Sequence, residues 1–435
     1  MMKFRIQISM SLIVVFFFVS SFSQTQWTKY SNNPIMVKQN ALYETFAIGQ
    51  PTCIIDNDTL KMWYAGAGLP FTARILYAYS MDGIGWTKYK SGSPVLDVGA
   101  AGEWDSKWLD TPEILKDATE YKLYYFADSA TTSPPSAGAA LGVATSPDGI
   151  DWQKYSGNPI LSSGNLEDWD GFWIESPAVL YDDSTQSYLM WYTGANTNYI
   201  IRIGLATSPN GLQWAKYQDN PVLDVGPPGS WDDMWVAVPA VIKRGSLFEM
   251  WYCGFSSISG FDTLRIGYAT SLDGIHWSKY SGNPLFSTVT APYDSLVDSQ
   301  GPWAPDVVFE GSEYKMWYET AAGFCLATAA PITSVETPRF TFSLKLFQNY
   351  PNPLNPSTTI EYQLPHSGHI ILRIVNLLGQ EIKTLVDESQ TAGTYSVVWD
   401  GQDSFGKDVA SGVYFYQLTV KGGAVKKTKK LLLLR

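Results

Sequence analysis

Apolar and polar positions recur in a fixed order along residues 27–330. A Pro followed by an apolar run comes first, as in Pro177-Ala178-Val179-Leu180. An aromatic strand follows: Met62-Trp63-Tyr64, Leu123-Tyr124-Tyr125, Met190-Trp191-Tyr192, Met250-Trp251-Tyr252 and Met316-Trp317-Tyr318. The third piece is an (Ile/Leu)-Gly-x-Ala-Thr-Ser strand. It ends in a turn at Asp82-Gly83, Asp148-Gly149, Asn210-Gly211 or Asp273-Gly274. A Trp-x-Lys-Tyr phrase closes the unit; it begins at Trp27, Trp86, Trp152, Trp214 and Trp277, spaced 59, 66, 62 and 63 residues apart. Short apolar runs bounded by such turns read as strands, so each unit is four short strands. Units of this kind stack into a solenoid or close into a propeller.

The order of the pieces favours closure. The fifth unit has three strands but no Trp-x-Lys-Tyr phrase after residue 328, whereas Trp27 begins such a phrase with no unit in front of it. A ring in which the N-terminal strand completes the last blade leaves no open end between blades. The expected fold is all-β: a five-bladed β-propeller over residues 24–330.

The repeat stops at Ala330, and residues 331–340 read as a linker. Residues 360–364, 370–375, 394–399 and 413–420 then give a new set of strands. They predict a small antiparallel sandwich of Ig-like type over residues 341–435. At the other end, Lys3 and Arg5 precede an apolar run over residues 6–19 and then Ser20-Ser21-Phe22-Ser23. That pattern is a secretory signal peptide, residues 1–23, too short in its apolar part for a spanning helix. No transmembrane segment is expected in the mature chain.

Composition narrows the chemistry. The net charge of −11 argues against a nucleic acid or anionic membrane partner. Cys53, Cys253 and Cys325 are odd in number and lack metal-type spacing, so they read as buried free thiols. With only three His residues, a His-built zinc or haem site is not expected. No cofactor is expected. A structural calcium ion is compatible with the fold, but no ligands can be placed for one.

Several C-terminal motifs are distinctive: Gln348-Asn349-Tyr350-Pro351-Asn352-Pro353, Asn355-Pro356-Ser357-Thr358-Thr359-Ile360, Trp399-Asp400-Gly401 and Ala410-Ser411-Gly412-Val413-Tyr414. This stretch resembles the C-terminal sorting domain of the type IX secretion system, and its fold is similar to the Ig-like domain of the flagellar-hook cap protein. The resemblance implies a secreted or cell-surface protein and type IX secretion machinery as a partner.

Repetition also separates framework from chemistry. The pairs Trp104-Asp105, Trp169-Asp170 and Trp231-Asp232 recur in consecutive units, so they read as loop pins. The aromatic strands read as packing between blades. The position two residues before the inner-strand Pro varies instead: Gly49, Asp110, Glu175 and Ala237 in the first four units, and Trp303-Ala304-Pro305-Asp306 in the fifth. Asp110 and Glu175 therefore occupy equivalent places in adjacent blades, at the predicted channel mouth. Two such carboxyl groups are what glycoside cleavage needs, one held protonated and the other ionised. Trp108, Trp173, Trp235 and Trp303 lie close by as candidate faces for sugar rings.

This layout resembles the five-bladed propeller glycosidases, glycoside hydrolase families 43, 32, 62 and 68. The family-43 pattern implies an Asp as base in the first blade, an Asp as modulator in the second and a Glu as acid in the third. Glu175-Ser176-Pro177 matches the last. Asp110-Thr111-Pro112 places the second one residue early. Gln50-Pro51 stands where the base is expected, and glutamine cannot take a proton from water. Glu44, Glu113 and Asp306 are the candidate substitutes. Two readings follow: a secreted glycosidase acting on polysaccharide or oligosaccharide, or a carbohydrate-binding or surface-interaction propeller that has lost catalysis.

Overall fold

The computed structural model describes residues 27–330 and 345–435, apart from 40–41, 118, 131–138, 257–263, 287–300, 350, 365–367, 391–392 and 421–425. The signal peptide lies outside the described residues. The chain divides into two compact units at Thr333/Ser334.

Among its described residues the first unit contains five antiparallel sheets, of which the first joins the second and the third joins the fourth through the parallel pairs Ala73–Trp108 and Ile201–Trp235. Their innermost strands are Ala47–Asp56, Trp108–Lys116, Trp173–Asp182, Trp235–Arg244 and Trp303–Glu310. Each pairs with an aromatic middle strand: Thr59–Gly68, Tyr121–Asp128, Ser187–Ala195, Leu247–Phe255 or Glu313–Thr320. A third strand follows in every sheet, and a two-residue strand from the Trp-x-Lys-Tyr phrase forms the rim. The innermost strands pack against one another in a cycle, first to second and onward until the fifth meets the first. In the fifth sheet the rim strand is N-terminal: Thr28–Lys29 pairs with Gly323–Ala329, Thr28 opposite Thr328 and Lys29 opposite Ala327. The ends of the repeat are thus joined in one β-propeller.

The same joint is reinforced by a side chain. Asn33 accepts the Leu326 N–H at 2.8 Å and donates to the Leu326 carbonyl at 3.0 Å. Asn158, Asn220 and Asn283 do the same for Val143, Leu205 and Tyr268. A carboxamide carries both halves of a peptide group, so it extends the ladder where the chain turns away.

The middle strands are buried on both faces, because each sheet is covered by a neighbour on either side. Met62, Trp63 and Tyr64 have no exposed surface, nor do Met316, Trp317 and Tyr318. The Trp63 indole donates to the Gly149 carbonyl in the following sheet, Trp191 to Gly274 and Trp317 to Gly83. With the Tyr124 hydroxyl donating to the Gly211 carbonyl, four of the aromatic strands bind their blade to the turn of the next, whereas the buried Trp251 indole of the fourth has no partner among the described residues. Those turns need Gly: Gly83, Gly149, Gly211 and Gly274 have φ of 77°, 80°, 74° and 74°.

The second unit is a two-sheet sandwich. Lys345–Leu346, Thr358–Leu364 and Gly393–Trp399 form one sheet; Glu381–Gln390, Gly368–Val375, Gly412–Val420 and Lys426–Leu433 form the other. Alternate residues meet in the core, among them Ile360, Leu372, Ile374, Trp399, Tyr416, Leu418 and Leu431. The final strand is an edge whose Leu431 and Leu433 point inward, while Lys426, Lys427 and Lys430 are exposed. Lysines on an edge oppose strand addition by another chain.

Candidate functional site

All five innermost strands carry the same irregularity. The pairing register shifts between Gly49 and Thr52, Asp110 and Glu113, Glu175 and Ala178, Ala237 and Ala240, and Trp303 and Asp306. At each bulge a non-glycine residue precedes Pro with positive φ: Gln50 55°, Thr111 44°, Ser176 49°, Val238 51° and Ala304 45°. Such backbone is strained and survives only where its surroundings fix it. Here every bulge N–H is held by a side chain. Gln50 donates to Glu319 Oε2 at 2.9 Å, Thr111 to Asp110 Oδ1 at 2.8 Å and Ser176 to Thr111 Oγ1 at 3.1 Å. Val238 donates to Thr193 Oγ1 at 2.9 Å and Ala304 to the Cys253 sulfur at 3.2 Å. The bulges and their prolines narrow the channel to a space of about 20 Å³, roughly one water. A sugar ring does not fit within that space.

Two groups of carboxylates flank this constriction, one gathered at the residues that precede the bulges and one at the residues that follow them. The first comprises Asp110, Glu175 and Glu319, all half-buried. Burial raises the Glu175 carboxyl to about 7; Asp110 adds to the shift, and the Trp173 indole partly opposes it. Burial raises Glu319 to about 8, against the hydrogen bond from Gln50, with Asp110 again adding. Asp110 is raised by burial, opposed by the Thr111 N–H and the Trp108 indole, which donates to Oδ2 at 3.1 Å. Asp110 is thus electrostatically coupled to both glutamates.

The second group is Glu113 and Asp306. Glu113 accepts the Val179 N–H at 2.9 Å and the Thr52 hydroxyl at 3.2 Å, while Asp306 accepts the Cys53 N–H at 2.8 Å. Burial lifts Asp306 to about 7 and Glu113 well above the usual carboxylate range, with Asp306 contributing to the latter. Each acid ties its own strand to a neighbouring sheet. The structure therefore brings Asp110 and Glu175 together and does not bring Asp306 to them, contrary to its candidacy as a substitute base.

Glu44 also differs from expectation. It is fully buried, pairs with Lys88, and accepts the Tyr64 hydroxyl at 2.7 Å and the Gln39 N–H at 2.9 Å. Asp105, Asp170 and Asp232 pair in the same way with Lys154, Lys216 and Lys279, each at 2.6 Å. Glu44 is the first unit's version of the Trp-Asp pin, whose real partner is the lysine of Trp-x-Lys-Tyr. A carboxylate with both oxygens committed inside the framework is not a base for a substrate.

The tryptophans divide as well. Trp108 and Trp173 lie two residues before Asp110 and Glu175, on the same face of their strands. Trp173 is only 6 % exposed, so it is not an open platform. Its indole N–H opposes the Glu175 shift without making a hydrogen bond of good geometry. Trp235 donates to the Tyr199 carbonyl at 3.1 Å and packs on Phe255. Trp303, two residues before Pro305, occupies the register of Asp110 and Glu175, not that of the other tryptophans. The open aromatic surface lies elsewhere. Phe46 and Phe71 are 43 % and 50 % exposed, and Phe71 leads from Phe46 to Trp108 at ring separations of 5.4 and 5.6 Å.

Glu319 was not anticipated from sequence. Its signal was present: the residue after the aromatic triplet is Ala65, Phe126, Thr193, Cys253 and Glu319 in turn, acidic in one unit only. The three cysteines are free and buried. Among the described residues no cluster of His, Cys, Asp and Glu has the geometry to hold a metal ion, and no helix is long and apolar enough to cross a membrane.

Comparison with known proteins agrees on the class of fold. Residues 356–424 match the FlgD Ig-like domain family. The propeller is similar to solved glycoside-hydrolase-like propellers. A candidate glycosidase from Bacteroides thetaiotaomicron matches with a TM-score of 0.55 at 16% identity, covering 70% of this chain and 97% of that one. A candidate glycoside hydrolase from Parabacteroides distasonis gives 0.56 at 16% identity over the same shares. A β-1,2-mannobiose phosphorylase from Listeria innocua gives 0.52 at 12% identity, covering 70% and 96%. At these identities the likeness shows fold alone. Two uncharacterised proteins from Mycobacterium tuberculosis strains are each 30% identical over 190 residues, 42% of this chain. The chain spans 58% of the length of those relatives. An A type blood N-acetyl-α-D-galactosamine deacetylase from Flavonifractor plautii is 24% identical over 34% of this chain and 19% of its own length.

Proposed function

We propose that the protein is a secreted glycosidase acting on polysaccharide or oligosaccharide at the mouth of the propeller. The observation that carries this reading is the coupling of Asp110 to Glu175 beside a constriction too small for a sugar ring. A carboxyl group lifted to about 7 can still hold its proton near neutral pH. Glu175 is then the acid that protonates the departing glycosidic oxygen, and Asp110 is the charge that keeps its proton in place. The Phe46–Phe71–Trp108 strip offers aromatic faces to the sugar units beyond the reacting bond. The two carboxyl groups would need no cofactor. Export would proceed through the signal peptide, with the Ig-like unit as the address read by type IX machinery. Its sorting motifs and its match to the FlgD Ig-like family support that role.

The test is release of reducing sugar from arabinans, xylans, fructans and mannans by the mature full chain, beside Glu175→Gln. Turnover that is lost in the variant supports the reading. The second reading, a binding propeller without catalysis, is favoured by Gln50, which offers no titratable group. It would be upheld by no turnover together with retained binding to one polysaccharide by both proteins.

A further inference from the structure

The second carboxylate of the site is not on the strand where the repeat would put it. The register two residues before the inner-strand Pro is acidic in the second and third units, at Asp110 and Glu175, and empty in the first, at Gly49. That vacancy is filled from another sheet. A Cβ placed on Gly49 would meet Glu319 Oε2 at 2.9 Å and the remaining Glu319 carboxyl atoms at 3.3 Å, and nothing else nearer. The Glu319 side chain reaches from the middle strand of the fifth unit across the closure of the ring. Its carboxylate comes to lie where a side chain at position 49 would start.

The match extends to hydrogen bonding. In the second unit, Asp110 Oδ1 accepts the N–H of the strained residue after it, Thr111; in the first, Glu319 Oε2 accepts the N–H of the strained residue Gln50. The remaining oxygens differ. Asp110 Oδ2 is held by the Trp108 indole, while among the described residues no donor reaches Glu319 Oε1. Asp110 has both oxygens fixed; Glu319 keeps one to act with.

We propose that Glu319 is the base of the glycosidase site, a carboxylate supplied across the ring closure in place of a side chain at position 49. This rests on the glycosidase reading. Glu319 takes a proton from water as the water oxygen bonds to the anomeric carbon. The C1–O bond breaks, its electron pair stays on the departing oxygen, and that oxygen receives the proton of Glu175. Proton exchange with solvent resets the pair. Burial and the charge of Asp110 lift Glu175 to about 7 and Glu319 to about 8. The fixed Gln50 amide lowers Glu319 only in part, so Glu319 stays the higher of the two, and the working form, with Glu319 ionised and the proton on Glu175, is the minor singly protonated one.

Glu319→Gln separates this role from a structural one. Its amide oxygen can still accept from Gln50, so a residue that merely pins the bulge predicts kcat within about threefold of wild type. The expected result is a kcat loss of roughly 10²–10⁴-fold with an unchanged melting temperature. A glycoside with a good leaving group should partly restore Glu175→Gln, which lacks only the acid, and leave Glu319→Gln inactive. The pH–rate profile of wild type should show two limbs, and Glu319→Gln should lose the acidic one. The double variant Gly49→Asp/Glu319→Ala returns a carboxylate from the first unit, with the space beside Gly49 vacated and the Gln50 N–H again served. It should recover at least tenfold over Glu319→Ala. A wild type active on the panel whose activity survives in Glu319→Gln overturns this assignment alone. A wild type inactive on every substrate overturns the glycosidase reading and this assignment with it.

Discussion

The propeller uses the same residue types in two opposite ways. On its outer side Glu44, Asp105, Asp170 and Asp232 each meet a lysine ammonium, and Tyr64 and Tyr192 add hydroxyl donors to Glu44 and Asp170. At the channel mouth, Asp110, Glu175 and Glu319 meet backbone N–H groups, indoles and one another, with no cation paired to them among the described residues. A carboxylate paired with an ammonium holds the framework. Carboxyl groups crowded together without one cannot all ionise, so they retain protons near neutral pH. Burial alone therefore says little about role. The partner decides it.

The comparison can be broken most sharply by exchanging one acid from each region for its amide. Glu175→Gln should lower kcat on a responsive polysaccharide by roughly 10²–10⁴-fold and leave the unfolding midpoint in place. Glu44→Gln should do the reverse, losing stability and keeping kcat in whatever fraction remains folded. Equal effects of the two on activity would erase the distinction. The next largest effect is on the framework. Lys88→Met strands the fully buried Glu44, and breaking a buried pair from one side costs about 3–5 kcal/mol; urea unfolding measures it.

A smaller effect concerns pH. A carboxyl group whose value is raised on folding stabilises the native state below its unfolded value, near 4, and loses that contribution as pH rises through its folded value. Asp306 and Glu175, raised to about 7, should therefore make the propeller lose stability as pH rises from about 4 to about 7. Asp306→Asn, which keeps an acceptor for the Cys53 N–H, should flatten that slope by about 2–4 °C in melting temperature. A midpoint that rises across this interval would contradict the assignment. The smallest effect is at the aromatic strip. Phe71→Ala should weaken polysaccharide binding by roughly 2–10-fold, the range of one aromatic contact, with kcat nearly unchanged.

Much of the fold was legible because the repeat made each unit a control for the others. The Trp-x-Lys-Tyr phrase with no unit before it foretold the pairing of Thr28–Lys29 with Gly323–Ala329. Asp110 and Glu175 stood out because they broke the repeat. Glu44 misled because its unit lacks the Trp-Asp pair, so a framework acid looked like an isolated one. Trp303 was grouped with the other tryptophans, although it sits two residues, not four, before its Pro. Glu319 is not legible from the innermost strands, because its side chain enters the mouth from the middle strand of a different sheet. A linear pattern cannot show that a glycine in one blade makes room for a glutamate in another. That relation exists only after the ring closes.

The most direct test of the central claim needs no substrate. Carboxyl resonances of Asp and Glu, labelled with carbon-13, can be followed by NMR against pH in the mature full chain. The account predicts a small set titrating between about pH 6 and 8, with Glu175→Gln and Glu319→Gln each removing one member. Titration of every carboxyl group below pH 5, or loss of none of the high-titrating signals in either variant, would contradict it.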